Sequence, residues 1–273
     1  MNCLVNHDSC SRSRPDDRRR PARIIAVGSL PDFSDVKLCC LSDLERVFSY
    51  VTLSHCWGPS GLEMKITAPV EKSLKESIPW DSLPKAFRDA ILITRALQNA
   101  FGVKYIWTDA LCILQDSPGD WDKETSNMAN IYRYSFYNLA ACVGVDSHSG
   151  LFWGRNPCWE HSCVVEPTIE GSTASFYKIE NCMIYNTSVE ASILETRAWV
   201  LQEVLLAPRV LYFTPQQWVW ECAALCTSAI PYLRLRCSRR YGIAHSEIPA
   251  ALKRTALRVV WFRFPYKQGP VNC

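Results

Sequence analysis

Apolar positions along this chain switch between two periods. Ile24–Val27 is an apolar run of strand length, and the stretch from Gly28 to Asp35 behind it is rich in turn residues. Tyr50–Ser54 (YVTLS) favours a strand and runs into His-Cys-Trp-Gly-Pro, where Gly58 and Pro59 stop it. Residues 60–80 hold no period and read as a variable connection. The spacing then becomes helical. Phe87, Ala90, Ile91, Thr94 and Leu97 recur on one face, Ser82 and Pro84 suit a helix start, and Gly102 suits its end. Val103–Thr108 predicts a strand ending at Asp109. A second helix opens at Pro118, capped by Asp116 or Ser117. Acidic residues crowd its first turns, and Trp121, Thr125, Met128 and Tyr132 share a face. Asn138–Val145 is a further apolar run, and 146–190 is looser. A third helix runs from about Thr196 to Ala207, where Pro208 ends it, and Val210–Phe213 and Trp218–Cys222 read as strands.

Strands alternating with helices predict an α/β fold with a mainly parallel central sheet flanked by helices and interrupted by insertions. The ordered part spans residues 24–222. Before it, residues 1–23 read as a disordered basic tail with Arg12, Arg14, Arg18, Arg19, Arg20 and Arg23. After it, residues 223–273 are basic, lose any clean period and read as an atypical, poorly packed segment, although Ala250–Phe264 could form a short amphipathic helix.

The chain has 273 residues, 48% of them hydrophobic, and a net charge of +3. That is enough to bury a core and too little charge for a global field favouring nucleic acid. Residues 1–23 hold no apolar core of signal-peptide type and no run approaches the length of a membrane span, so a cytoplasmic protein is expected, with its 14 cysteines mostly reduced. Cys158, His161 and Cys163, with His148 upstream, form the nearest thing to a metal cluster. They lack the two spaced ligand pairs of a zinc site, so no metal is expected. Glycine-rich nucleotide loops and the nucleophile-elbow pattern are missing from the sequence.

In an open α/β sheet, ligands sit beyond the carboxyl ends of the strands. Three segments reach that edge: Ser54 to Gly58, Asp109 to Asp116 (DALCILQD), and Arg197 to Glu203 (RAWVLQE). Trp199 and Glu203 stand four apart on a helix and so share a face. A carboxylate beside an indole can carry a raised pKa, contact ribose hydroxyls or stabilise a developing cation. A helix glutamate is more commonly a solvated surface group, and an aspartate at a strand end such as Asp109 more commonly caps the following turn. His55 and Cys56 point to opposite faces of an extended strand, which makes a thiol–imidazole pair a poor fit.

Taken together these segments resemble the fungal heterokaryon-incompatibility (HET) domain. Tyr50–Gly58 (YVTLSHCWG) resembles its opening motif. Leu83–Ile91 (LPKAFRDAI) and Tyr105–Asp116 (YIWTDALCILQD) resemble its centre. Trp121, Met128–Tyr132 (MANIY), Gly150-Leu-Phe, Arg197–Glu203, Arg209–Phe213 (RVLYF) and Trp220-Glu-Cys continue it in order. Thr108 stands where the family carries an aliphatic residue, Ala198 where glycine is common, and the pattern stops at Cys222. The resemblance implies fungal non-self recognition and a role in programmed cell death. It also implies a remote relation to Toll/interleukin-receptor (TIR) domains, hence a TIR- or flavodoxin-like sheet. Some TIR domains hydrolyse NAD with a glutamate in a W-x-x-x-E context, which Trp199 and Glu203 match. On that basis Glu203 is the candidate catalytic group. Ser54, His55, Trp57, Asp109, Gln115, Arg197 and Trp199 are candidate substrate-binding residues, and NAD is a substrate rather than a cofactor. The alternatives are a non-enzymatic assembly module, working as a homo-oligomer or with other incompatibility proteins, or a truncated, inactive paralogue.

Overall fold

The computed structural model describes residues 10, 20–29, 35–44, 48–61, 64–154, 163–165, 177–179, 185–224 and 226–228. Most of the basic tail, Cys158 and His161 of the metal-like cluster, and everything after Ser228 lie outside the described residues.

One eight-stranded sheet organises the chain. Its strands are β1 (Arg23–Ala26), β2 (Lys37–Cys40), β3 (Tyr50–Ser54), β4 (Tyr105–Trp107), β5 (Asn138–Ala141), β8 (Arg209–Phe213), β9 (Trp218–Cys222) and β10 (Cys226–Ser228). In space they run β10-β9-β8-β5-β3-β4-β1-β2, while β6 (Cys163–Val165) and β7 (Tyr177–Ile179) form a separate antiparallel pair. The four central strands β8, β5, β3 and β4 are parallel. The pairs at either flank are antiparallel, so the sheet is mixed and parallel only at its centre. Tyr50–Ser54 is buried at every position, as expected of a strand covered on both faces.

The helices are α1 (Ala68–Glu76), α2 (Lys85–Phe101), the single turn α3 (Asp109–Cys112), α4 (Pro118–Tyr134) and α5 (Ala198–Leu206). Local chemistry explains their ends. Gly102 takes the left-handed conformation after α2, with φ 69°, and its amide donates to the Gln98 carbonyl. The Ser117 hydroxyl accepts from the Asp120 amide at the start of α4, and Pro118 occupies the first turn. Three expectations need correction. Residues 60–80 hold helix α1, in which no residue is fully buried. The run Asn138–Val145 stops as a strand at Ala141, because the Asp146 carboxylate accepts from the His148 and Ser149 amides and turns the chain. The buried stripe of α4 is Glu124, Met128, Ile131 and Tyr132, which leaves Trp121 43% exposed.

Alternation along β3 sends its side chains to two helical layers. The Tyr50 hydroxyl donates to the Ile131 carbonyl of α4, so Tyr50, Thr52 and Ser54 face α4 and its neighbour α5. His55 faces the other way and sets its ring edge-on to Phe87 of α2, with centroids 4.9 Å apart.

Candidate functional site

Register brings the polar residues together. Trp107, Thr52, Asn138 and Val210 form one row across β4, β3, β5 and β8. Two residues further on, Ser54 ends β3 and Asp109 follows β4, on the same face and at the carboxyl edge. Helix α5 supplies Glu203 from above. Glu203 is 3% exposed, and the nearby hydroxyls of Ser54 and Tyr132 favour its ionised form. Burial first, and the Asp109 charge second, push Glu203 up to about 7, against the pull of Ser54, Arg197 and Tyr132. The Asp109 charge is therefore felt at the Glu203 carboxyl.

Asp109 is partly exposed and held from three sides. Trp57 Nε1 donates to Oδ2 at 3.2 Å, the Ala110 amide to Oδ1 at 2.8 Å and the Thr108 hydroxyl to Oδ1 at 3.3 Å. Burial raises its pKa, and Arg197 and these donors oppose the rise. The Thr108 hydroxyl thus serves the aspartate directly. Gln115 does not reach the carboxylates. Its amide donates to the Asp109 and Ile113 carbonyls, at 3.1 and 2.8 Å, and shapes the loop that carries Asp109.

Arg197 sits immediately before α5, and its guanidinium donates to the His55 carbonyl. From there its charge acts on Asp109, Glu203 and Cys56. His55 therefore joins the site through its backbone, while its imidazole lies on the opposite face of the sheet. Burial and Arg197 hold that imidazole down to about 3, so it is neutral. The Cys56 thiol is pushed up by burial, which leaves it a weak nucleophile. Trp199 stands one turn ahead of Glu203 but is 50% exposed, so its indole marks the rim and does not wall the carboxyl.

The structure thus gathers Ser54, Trp57, Asp109, Arg197 and Glu203, sets Gln115 and His55 behind them and leaves Trp199 outside. It adds Tyr132, Asn138 and Thr52, which sequence reasoning had not placed at the site. Asn138 was the findable one: an amide opening an otherwise apolar strand must have a buried partner. A cavity of about 230 Å³ lies at the other end of the strands, lined by Ala26, Gly28, Asp35, Val36, Lys37, Glu76 and Ser77, away from these groups.

Residues 50–203 match the family model described as heterokaryon incompatibility protein (HET), a span that opens on β3 and closes on Glu203. No curated protein and no solved structure matches the chain.

Proposed function

Because this chain belongs to the heterokaryon incompatibility (HET) family, we propose that it is an effector of programmed cell death in fungal non-self recognition, acting by hydrolysis of NAD. The observation that supports this reading is the buried Glu203 carboxyl, pushed up to about 7 by burial and the Asp109 charge against the pull of Arg197. Hydrolysis breaks the bond between C1′ of the ribose and the pyridinium nitrogen. The nitrogen keeps the bonding pair and leaves as neutral nicotinamide, so the leaving group needs no acid. Positive charge develops on C1′ and the ring oxygen, and an ionised Glu203 stabilises it. Water then adds to C1′ and loses a proton, which completes ADP-ribose. Asp109, held by Trp57 and the Ala110 amide, is suited to accept from ribose hydroxyls. Since Glu203 is 3% exposed, NAD must displace part of the cover to reach it, as lids commonly allow.

Replacing Glu203 by Gln keeps shape and removes charge. The purified Glu203→Gln protein should lose NAD turnover by on the order of 100-fold or more. Unchanged turnover in the folded variant would discard the hydrolase reading.

A second reading rests on a different observation. Trp199, Leu201 and Leu205 of α5, with Ile193 before it, are 50%, 51%, 40% and 42% exposed. An apolar outer face on a surface helix is a feature of interaction surfaces, and it fits an assembly module that needs no catalysis. Killing that survives Glu203→Gln and is lost in Leu201→Ser would favour it.

A further inference from the structure

The face of the sheet beneath Glu203 is polar where a core is ordinarily apolar. Thr52 and Asn138 are fully buried and stand directly opposite each other on β3 and β5. Thr52 Oγ1 lies 3.1 Å from Asn138 Oδ1, and Asn138 Nδ2 lies 2.9 Å from Ser54 Oγ. Ser54 Oγ is also 3.2 Å from Asn138 Oδ1, and its hydroxyl favours the ionised form of the Glu203 carboxyl.

Counting protons assigns the directions. A hydroxyl has one proton to give, and a carboxylate can only accept. When Glu203 is ionised, Thr52 donates to Asn138 Oδ1, Asn138 Nδ2 donates to Ser54, and Ser54 donates to Glu203. Tyr132 gives the second hydroxyl proton to the same carboxylate. When Glu203 carries a proton, it can donate to Ser54 Oγ, and the Ser54 proton turns to Asn138 Oδ1. No heavy atom moves, and every group keeps a partner in both states.

We propose that Thr52 and Asn138 are positioning residues for Glu203: with Ser54 they form a hydrogen-bond relay that accommodates both protonation states of its carboxyl in one fixed geometry. For its catalytic consequence this rests on the reading of Glu203 as the reacting carboxylate; the relay itself does not. The other charged or titratable groups around Glu203 are Asp109 at the start of α3, Arg197 ahead of α5, Tyr132 on α4 and Cys56 after β3. Thr52 touches none of the Glu203 atoms, so any effect it has on that carboxyl travels through Asn138 and Ser54.

The test is the titration of the Glu203 side-chain carboxyl by carbon-13 NMR on the full chain without NAD, with the resonance assigned by its loss in Glu203→Gln. Thr52→Val leaves Asn138 Oδ1 short of a donor, which draws the Ser54 proton away from Glu203. The Glu203 midpoint should rise by roughly half a unit to one unit, the worth of one ordinary hydrogen bond. Ser54→Ala should raise it by a similar amount, and Thr52→Ser, which keeps the hydroxyl, should restore the original midpoint. A folded Thr52→Val that melts earlier with the Glu203 midpoint unmoved would overturn the relay, and so would an unmoved midpoint in Ser54→Ala if Thr52→Val fails to fold. The two readings fail separately: a wild-type chain that turns over no NAD refutes the hydrolase, whereas an unmoved midpoint refutes the relay.

Discussion

Glu203 is costly to ionise, and that cost has a sign that stability measurements can read. Its ordinary value is 4.5, and in the fold it is pushed up to about 7. The native state therefore holds more protons than the unfolded chain between those values, so stability falls as pH rises through that window and levels off above it. The full cost is on the order of 3 kcal/mol. Gln cannot ionise, so Glu203→Gln should gain stability relative to wild type on going from pH 5 to pH 8. Urea titrations at the two pH values check this, and a gap independent of pH would mean that Glu203 is not the buried titrating group. The sequence already placed Glu203, Trp199, Ser54 and Asp109 near one edge. It did not show that Trp199 is half exposed, because the fourfold helical spacing gives a shared face but not the depth at which each residue sits. His55 was separable in principle, since the alternation that parts it from Cys56 also parts it from Ser54.

At the scale of elements, the loop after β5 is locked to α2 by contacts that explain an odd motif. The Asp89 carboxylate accepts from the Leu151 amide at 2.8 Å and from Lys85 Nζ at 3.0 Å. Gly150, with φ 78°, lies against this pair, and a Cβ there would stand 2.6 Å from Asp89 Oδ2 and 2.2 Å from Lys85 Nζ. The lysine end can move, but the carboxylate is tied to the Leu151 amide. Gly150→Ala should therefore cost more than the roughly 1 kcal/mol of a left-handed alanine, seen as a lowered denaturant midpoint. A variant as stable as wild type would show that the loop is not anchored there. Gly58, with φ 87°, makes a similar close approach, where a Cβ would meet that of Asp146 at 2.9 Å. Elements with a strong apolar period, α2 and α4, were legible to within a residue. Helix α1 and strand β2 were not. The first leaves every side chain at least partly exposed, and the second opens on the exposed Lys37.

Across the whole molecule, the sheet extends beyond the family span on both sides. Strand β8, the parallel neighbour of β5, begins at Arg209, and β1 adds to the free side of β4. Arg23 of β1 also reaches the site indirectly. Its guanidinium bonds both oxygens of Asp120, at 2.6 and 3.0 Å, and the Cys112 carbonyl at 3.1 Å, which clamps the loop after Asp109. Cys10, far ahead of the strands, is buried against Cys222, and its carbonyl accepts from Arg209. A piece limited to residues 50–203 leaves β4 and β5 as open edges and should lack cooperative unfolding; a sharp transition in that piece would contradict the account. Among the described residues, no helix is long and apolar enough to cross a membrane. The most direct test of the central claim is the rate of NAD consumption by the purified full chain from pH 5 to pH 9. The ionised carboxylate is the working form, so the rate should climb through about 7 and plateau above it, and Glu203→Gln should be flat and near zero throughout. A wild-type chain with no NAD consumption at any pH, or a folded Glu203→Gln with the wild-type profile, would contradict it.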